Sequence, residues 1–367
     1  MRKRIAFVIN SMSAGGAERV IASLSNGLTA SYDIFIISLD KQPSFYSLLS
    51  NVELLYCSDG LKPSRGIKDA LLNNFKLYKA ITGHLKKNKI DICIGFMTEN
   101  NILSILASKR CRIPVIISER NNPYKEVDVT NKVWKGLRRL IYPYTNVLVV
   151  QTKLIKSFYE DFLPIDKIEI IPNPINPEFK PRNTQEKQNI ILNVGRLSAQ
   201  KNQKMLIQAF SRCKTDDWKL NIVGEGVLRD DLELLISDLE LKDKVHLLGT
   251  QTNIQDYYEK AKIFAFSSNY EGFPNALMEA MYFGLPSIST ACPSGPDELI
   301  RDGKNGFLVP VGDVDLMAEK LQTLIDNSIL RGSFQIESTK TMQPYKLKFI
   351  LKSWEAIINN LLHSNKN

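Results

Sequence analysis

The sequence predicts an α/β protein with two doubly wound domains, and three observations support this fold class. Short apolar runs, continuous rather than alternating, recur between segments of helical periodicity along the chain. Such runs are typical of parallel strands that helices bury on both faces. The pattern is interrupted by four prolines between Pro172 and Pro181 and then starts again. The length of 367 residues also suits two domains.

The proline-rich segment marks the expected domain boundary, because it can continue neither a helix nor a central strand. We expect an N-terminal Rossmann-like domain over residues 1–180 and a C-terminal one over residues 181–345. Residues 346–367 should form a helix that packs back towards the N-terminal domain. Two such domains would face a central cleft at the carboxyl ends of their strands, where ligands bind in doubly wound sheets.

Strands and helices alternate in the N-terminal domain. The apolar runs predict strands over Ile5–Asn10, Ile34–Leu39, Val52–Cys57, Ile92–Phe96, Val115–Ser118 and Val147–Gln151. The segments between them predict helices over Glu18–Ala30, Ile67–Lys87, Asn101–Lys109 and Val129–Tyr142. Repeated strand–helix units imply a parallel sheet with crossover helices.

The C-terminal domain repeats this alternation. Strands are predicted over Ile190–Val194, Lys219–Val223, Val245–Leu248, Ile263–Ser267, Pro286–Ser289 and Gly306–Val309. Helices are predicted over Gln203–Cys213, Asp230–Leu239, Ile254–Lys260, Ala276–Phe283, Asp297–Ile300, Asp315–Asn327 and Lys346–Leu362. An Asp-x-Asp pair occurs at Asp313 and Asp315, and its position at a helix start favours a helix cap over a metal site.

The positive charge is concentrated in the N-terminal half. Of the net charge of +9, residues 1–180 carry +10 and residues 181–367 carry −1. A basic half indicates an anionic partner, which could be nucleic acid, an acidic lipid surface or a phosphate-bearing substrate. A lysine-rich solvated surface is the alternative. The predicted helix Val129–Tyr142 concentrates basic and aromatic side chains, namely Lys132, Trp134, Lys135, Arg138, Arg139 and Tyr142.

Membrane spans and metal or disulfide frameworks find little support in the sequence. No apolar run reaches the ~18 residues of a transmembrane helix. The five cysteines are scattered without pairing or metal spacing, which fits a reducing cytosol. The three histidines lie far apart in the sequence.

Residues 270–279 carry two carboxylates eight positions apart, Glu271 and Glu279. Pro274 suits the first position of a helix, because its missing N–H would have no partner there. The following amides, on Asn275, Ala276 and Leu277, would then be free to bind phosphate at the positive end of that helix. A carboxylate on either side could accept hydroxyl groups, an arrangement that suits a sugar nucleotide. An ordinary strand–loop–helix with two solvated glutamates is the simpler interpretation of the spacing alone.

Two glycine-containing loops also follow predicted strands. After Ile190–Val194, Gly195 permits a sharp turn, and Arg196 and Lys201 supply two cations that could stabilise a departing diphosphate. After the first strand, Gly15 and Gly16 permit close approach of the backbone to a ligand at a helix start. Taken singly, the first loop could be a surface loop and the second a tight turn.

Together these motifs resemble the retaining GT-B glycosyltransferases of family 4. The E-x7-E segment, the Gly-Arg…Lys loop and residues 15–19, Gly-Gly-Ala-Glu-Arg, occur in the order found in that family. Residues 223–229, 294–300 and 305–310 resemble its supporting segments, so the resemblance spans about residues 5–315. It implies a GT-B fold with two Rossmann-like domains.

The resemblance also implies roles for individual residues. Arg196, Lys201 and the amides of the helix start would neutralise the leaving diphosphate without a metal cofactor. Glu271 would hold a donor-sugar hydroxyl and share the developing positive charge, and Glu279 would bind the ribose. The nucleotide-sugar contacts implied are Gly16, Gly195, Phe273, Asn275, Ala276, Leu277 and Glu279. The acceptor or sugar contacts implied are Gly15, Glu119 and Arg120.

One segment departs from the common family pattern. Many members carry a histidine after an N-domain strand, but residues 117–123 contain none. The run from Ser118 to Asn121, Ser-Glu-Arg-Asn, resembles a subgroup that transfers N-acetylhexosamines in bacterial surface glycans and N-glycan precursors.

The function implied is therefore transfer of a hexose or N-acetylhexosamine, GalNAc or GlcNAc, from a UDP-sugar. The acceptor expected is a polyprenyl-diphosphate-linked glycan, and nucleic acid is not expected as a partner. The enzyme would be cytoplasmic and peripheral on the inner face of the cell membrane, at an anionic surface. The alternatives are a sugar-nucleotide epimerase on the same double fold and, further off, a non-enzymatic basic binding protein.

Overall fold

A computed structural model describes residues 2–60, 66–125, 130–182 and 186–364 of the chain. The chain divides into two compact units. Unit 1 comprises Met1–Asn176 and Leu347–Asn367, and unit 2 comprises Pro177–Lys346. Within the described residues, no helix is long and apolar enough to cross a membrane.

Parallel strands form one sheet in each unit. Those of unit 1 are β1 (Arg4–Ile9), β2 (Asp33–Ser38), β3 (Val52–Tyr56), β4 (Ile92–Phe96), β5 (Val115–Ser118), β6 (Val147–Val150) and β7 (Ile168–Ile170). Those of unit 2 are β8 (Ile190–Val194), β9 (Lys219–Val223), β10 (Val245–Leu247), β11 (Ile263–Phe266), β12 (Ser287–Thr290) and β13 (Gly306–Val309).

Helices connect the strands. They are α1 (Gly16–Leu28), α2 (Ile67–Lys87), α3 (Thr98–Cys111), α4 (Thr130–Ile141), α5 (Lys153–Glu160), α6 (Gln203–Ser211), α7 (Arg229–Asp238), α8 (Ile254–Lys260), α9 (Asn275–Tyr282), α10 (Pro296–Leu299), α11 (Val314–Asp326), α12 (Ser328–Thr341) and α13 (Leu347–Ser364). Short 3-10 turns lie at Pro123–Lys125, Tyr142–Tyr144, Ile165–Lys167 and Gln343–Tyr345.

The strand order is that of a doubly wound fold in both units. Unit 1 has the order β3-β2-β1-β4-β5-β6-β7, and unit 2 has the order β10-β9-β8-β11-β12-β13. In unit 1, Ile5 of β1 pairs with Ile34 on one side and Ile92 on the other. The chain therefore reverses its direction of winding between β1 and β4, and likewise between β8 and β11. Ligands of doubly wound sheets bind at this switch point, outside the carboxyl ends of the strands.

The sheet of unit 1 is buried on both faces. Along β1, Ala6 and Val8 face one apolar cluster, whereas Ile5, Phe7 and Ile9 face another. This two-residue alternation, apolar on both sides, explains why the strand is a continuous apolar run in the sequence. In unit 2, β8, β9 and β11 contribute to an apolar cluster to which α6, α11 and α12 also contribute.

Helix α13 packs within unit 1, although it lies at the end of the chain. It contacts α1, and its buried residues Ile350, Trp354 and Ile358 recur every four positions on one face. Trp354 is fully buried and stacks on Phe96, with ring centroids 6.1 Å apart.

The predicted strands and helices are confirmed, with ends that shift by up to three residues. Val129, the predicted start of one helix, lies outside the described residues, and α4 begins at Thr130. The prediction missed α5, β7 and α12. Of these, β7 has three residues, α5 has eight, and α12 buries only Phe334 and Ser338, so none carries a long amphipathic signal.

The basic side chains that the sequence concentrates on helix α4 do not all lie on one exposed face. Arg138 is 2% exposed, and its guanidinium stacks on Phe158 with 5.2 Å between its Cζ and the ring centroid. The side chain of Lys132 lies outside the described residues. Lys135 and Arg139 therefore do not combine with Arg138 into one exposed basic cluster.

We predict that Trp354→Ala lowers the free energy of unfolding by about 3–5 kcal/mol, because a large buried side chain leaves a cavity. Phe349→Ala, on the same helix but at a position that is 40% exposed, should change it by less than about 1 kcal/mol. Urea unfolding followed by far-UV circular dichroism measures both, and equal losses would contradict the role given to Trp354.

Candidate active site

The candidate active site of unit 2 lies at the switch point between β8 and β11. Two loops leave the carboxyl ends of these strands, the β8 loop (residues 195–202) and the β11 loop (residues 267–274). The backbone N–H of Asn269 donates to the Gln200 carbonyl over 2.8 Å, and Gln200 Nε2 donates to the Tyr270 carbonyl over 3.0 Å. The structure thus joins two motifs that lie about 70 residues apart in the sequence.

Lys201 and Glu271 form an ion pair across the two loops, with 2.6 Å between Nζ and Oε1. Their side chains are 20% and 7% exposed, so water screens the pair little. Lys201 Nζ also lies 5.1 Å from the ring centroid of Phe266. The sequence motifs gave no indication of this pairing, which balances part of the lysine charge.

The buried thiol of Cys292 lies in the same electrostatic environment. Burial, and to a lesser degree the charge of Glu271, raise the pKa of Cys292 to about 12. The thiol is therefore protonated near neutral pH and is not an activated nucleophile.

Arg196 is exposed and makes no ion pair with any residue in the described part of the chain. The end of β9 and the turn after it support this loop through two backbone hydrogen bonds. The N–H of Gly195 donates to the Val223 carbonyl over 2.9 Å, and the N–H of Leu197 donates to the Glu225 carbonyl over 3.0 Å. Gly224 has a φ of +144°, and a Cβ there would overlap the carbonyl oxygen of Gly195. This glycine is therefore needed to seat the β8 loop.

The start of helix α9 differs from the prediction at two residues. Pro274 is the N-cap, one position before the helix, with φ −83° and ψ 74°. In this turn the N–H of Asn275 donates to the Phe273 carbonyl over 2.9 Å, so the prediction that this amide is free was wrong. The N–H groups of Ala276 and Leu277 have no acceptor among the described residues. These two amides remain available to an anion.

The loop after β12 supports α9 from the other side. Ser294 Oγ donates to the Gly272 carbonyl over 2.9 Å. Gly295 has a φ of +110°, and a Cβ there would overlap the ring of Pro274. Phe273 is buried, with its ring centroid 6.1 Å from that of Tyr345.

Both carboxylates of the E-x7-E motif are buried, Glu271 at 5% and Glu279 at 4% exposed. Glu279 lies on the second turn of α9. Its Oε2 accepts a hydrogen bond from the hydroxyl of Tyr258, on α8, over 3.1 Å. No spacing rule pointed to Tyr258, which lies 21 residues earlier.

In unit 1, Gly15 and Gly16 lie at the start of α1, beyond the carboxyl end of β1. Gly15 is the N-cap in an extended conformation, and its carbonyl accepts a hydrogen bond from the Tyr46 hydroxyl over 2.8 Å. A Cβ on Gly15 would overlap the carboxylate of Glu18, whose pKa is raised by burial. This glycine leaves space that Glu18 occupies.

Glu119 follows β5 and is 1% exposed. Its carboxylate accepts hydrogen bonds from Thr98 Oγ1 at 3.0 Å, Asn101 Nδ2 at 3.3 Å and the Tyr142 hydroxyl. Burial and the charge of Glu119 raise the pKa of Tyr142 well above its usual value, so the phenol remains a donor. A contact between Glu119 and a sugar stays a prediction.

Arg120 is also buried, at 8% exposed. Its Nη1 donates to Asn173 Oδ1 over 2.7 Å, and its Cζ lies 4.8 Å from the ring centroid of Phe96 and 6.0 Å from that of Trp354. Burial lowers the pKa of Arg120 to about 9. Among the described residues its Nε and Nη2 have no hydrogen-bond partner, and the predicted acceptor contact stays a prediction.

The Asp-x-Asp pair is a helix cap, as predicted. Asp313 accepts a hydrogen bond from the N–H of Leu316 over 2.9 Å at the start of α11, and Asp315 pairs with Arg212. Within the described ranges, no group of three or more histidine, cysteine, aspartate or glutamate side chains could hold a metal ion.

Comparison with known proteins places both units in known families. Residues 14–179 match the family model described as Glycosyltransferase Family 4, and residues 175–341 match the one described as Glycosyl transferases group 1. The chain therefore belongs to the family 4 (group 1) glycosyltransferases and is a glycosyltransferase. The predicted fold class, α/β with two doubly wound domains, is confirmed.

Two relatives from Campylobacter jejuni align over nearly the whole chain. The first, named GalNAc-alpha-(1->4)-GalNAc-alpha-(1->3)-diNAcBac-PP-undecaprenol alpha-1,4-N-acetyl-D-galactosaminyltransferase, is 31% identical over 360 residues, covering 97% of this chain and 98% of the relative. The second, named N-acetylgalactosamine-N,N'-diacetylbacillosaminyl-diphospho-undecaprenol 4-alpha-N-acetylgalactosaminyltransferase, is 32% identical over 351 residues, covering 91% and 93%.

A solved structure with the same fold is that of Anabaena Alr3699/HepE in complex with UDP. It superposes with a TM-score of 0.79 at 18% identity, covering 98% of this chain and 100% of that one. At this identity the likeness shows the fold.

We predict that Gly295→Ala lowers the free energy of unfolding by about 2 kcal/mol or more, since the new methyl group adds overlap with Pro274 to backbone strain. Gly303→Ala is the matched control, because Gly303 also has a positive φ, +70°, but has no atom within 4 Å of a Cβ. The control substitution should lower the free energy of unfolding by about 1 kcal/mol. Equal losses in urea unfolding would show that Pro274 does not require a glycine opposite it.

Proposed function

We propose that this glycosyltransferase moves an N-acetylhexosamine from a UDP-sugar to a polyprenyl-diphosphate-linked glycan, with retention of the anomeric configuration. The observation that carries the proposal is the largely buried Lys201–Glu271 pair beside the start of α9, at the switch point of the unit 2 sheet. Cationic and carboxylate groups here lie within one hydrogen-bonded pair of loops. A sugar nucleotide needs both, one for its diphosphate and the other for its hydroxyls.

In the proposed reaction, positive groups stabilise the diphosphate as it leaves. Arg196 is exposed at the β8 loop, Lys201 projects from the same loop, and the amides of Ala276 and Leu277 lie at the positive end of α9. Fixed donors of this kind act most strongly where charge develops in the transition state. The leaving phosphate oxygen would take the proton of the attacking hydroxyl.

In this proposal the carboxylates of Glu271 and Glu279 bind the donor sugar and the ribose, respectively. Glu271 precedes α9, so it would hold a hydroxyl of the donor sugar and share the positive charge that develops on the sugar ring. Its pairing with Lys201 fixes the orientation of the carboxylate before the donor arrives. Glu279 lies a turn inside α9 and would accept hydrogen bonds from the ribose.

The choice of donor and acceptor draws on the relatives. The names of both C. jejuni relatives specify N-acetylgalactosaminyl transfer, and their acceptors are undecaprenyl-diphosphate-linked sugars. Alr3699/HepE was solved with UDP bound. We therefore place UDP-GalNAc first among donors and UDP-GlcNAc second. An epimerase would alter the donor without any acceptor, and family membership argues against it.

The test is transfer from UDP-GalNAc or UDP-GlcNAc to a polyprenyl-diphosphate-linked glycan. We expect Lys201→Ala and Arg196→Ala each to lower kcat by about 10²–10³-fold, with smaller effects on donor binding. Lys204→Ala, an exposed lysine three residues from Lys201, is the matched control and should retain activity. Incubation of the enzyme with the UDP-sugar in the absence of an acceptor should yield no epimerised UDP-sugar. Near-normal turnover in both variants would mean that the diphosphate binds elsewhere.

We propose that the reaction needs no divalent metal, because the site offers cationic side chains and helix amides for the same task. Activity should therefore survive excess EDTA. Complete loss of activity, restored by Mn²⁺ or Mg²⁺, would contradict the metal-independent mechanism.

We also propose that the enzyme works as a peripheral protein at the cytoplasmic face of an anionic membrane, and that helix α2 makes the contact. Its first turns carry the α2 apolar patch (Leu71, Leu72 and Phe75), whose residues are 67%, 57% and 52% exposed. Exposed lysines of the same helix flank it, namely Lys68, Lys76 and Lys79. Apolar side chains beside basic ones suit an interfacial helix at an anionic bilayer.

Replacing Lys68, Lys76 and Lys79 by glutamine should release the protein from vesicles that contain phosphatidylglycerol. Each basic residue near such a surface contributes about 1 kcal/mol, so partitioning should fall by about two orders of magnitude at low salt. The paired change of Lys135 and Arg139 on α4 to glutamine is the control and should have a smaller effect. Co-sedimentation decides, and the reverse ranking would move the membrane contact to α4.

A further inference from the structure

We infer that Tyr258 is a positioning residue for nucleotide binding, which holds Glu279 in the orientation that accepts the ribose hydroxyls. The inference rests on the proposed function, because it takes Glu279 as the ribose carboxylate. Its starting point is the hydrogen bond from the Tyr258 hydroxyl to Glu279 Oε2, 3.1 Å long. The Ala276 carbonyl, on the first turn of α9, lies 3.4 Å from the same hydroxyl.

Tyr258 is suited to this task because its ring cannot move freely. The residue is fully buried, and its ring lies nearly parallel to that of Phe283, with an interplanar angle of 13° and centroids 5.3 Å apart. Phe179 and Phe264 pack on it at centroid distances of 6.2 and 6.1 Å. Phe283 is the C-cap of α9, so the tyrosine contacts both ends of the helix that carries Glu279.

A carboxylate with 4% exposure gains little from water, so its orientation depends on protein donors. A phenol hydroxyl has one proton, and donating it to Oε2 favours one rotamer of Glu279. A ligand hydroxyl then meets a preoriented acceptor, and less entropy is lost on binding. Hydrogen bonds to charged groups are also stronger than those between neutral groups.

Tyr258→Phe tests the inference, because it removes the hydroxyl and keeps the ring in its aromatic cluster. Calorimetry would compare UDP with 2′,3′-dideoxy-UDP, which lacks both ribose hydroxyls. We expect the variant to bind UDP about tenfold more weakly and to bind the dideoxy analogue as the unmodified protein does. In the transfer assay the donor KM should rise about tenfold, with kcat little changed. The contact between Glu279 and the ribose should stabilise the bound donor and the transition state equally, so its weakening should affect binding and not the chemical step.

Tyr257→Phe is the matched control, since it removes a hydroxyl from the adjacent tyrosine of α8, and UDP affinity should be unchanged.

Glu279→Gln separates the role of Tyr258 from the ribose assignment of Glu279. Weaker UDP binding in Glu279→Gln together with normal binding in Tyr258→Phe would overturn only the role of Tyr258. Normal binding in Glu279→Gln would overturn the ribose assignment, and with it a role of Tyr258 through Glu279. Equal losses of UDP and dideoxy-UDP in Tyr258→Phe would indicate a purely structural role and also overturn the inference.

Discussion

The largely buried ion pair between Lys201 and Glu271 is the contact on which the arrangement of the site depends most. It joins the β8 loop to the β11 loop at the point where the winding of the unit 2 sheet reverses. Backbone and amide hydrogen bonds between Gln200, Asn269 and Tyr270 hold the same two loops together. Because both side chains are largely shielded from water, their attraction is stronger than that of a surface pair, and loss of either partner would leave a charge poorly solvated.

Close packing of backbone lets these loops reach that geometry. Gly224 lies against the carbonyl of Gly195, and Gly295 lies against the ring of Pro274. Each of these glycines has a φ that side chains rarely adopt, and each brings a neighbouring strand's loop onto the site. Gly224 and Gly295 therefore influence the site through packing, and this role does not require either glycine to contact a ligand.

Unit 1 places polar residues at the carboxyl ends of its strands in a different way. Glu119 and Arg120 are adjacent in the chain, yet their side chains contact different residues: Glu119 accepts hydrogen bonds from Thr98 and Tyr142, whereas Arg120 lies on Phe96. A strand exit that alternates its side chains explains the separation. Both side chains form hydrogen bonds with neighbouring residues of unit 1, so each contributes to the structure at this end of the sheet whether or not a ligand contacts it.

The sequence by itself determined the fold class, the order of the longer strands and helices, and the spacing of Glu271 and Glu279 around a helix start. These features are local, because apolar periodicity and proline or glycine punctuation act within a few residues. Short elements with weak periodicity, such as β7, could not be recognised this way. Only the tertiary structure decided that Lys201 pairs with Glu271, that the N–H of Asn275 is already bonded, and that Tyr258 holds Glu279. Each depends on which strands are neighbours or how one turn closes, and residue spacing does not encode that.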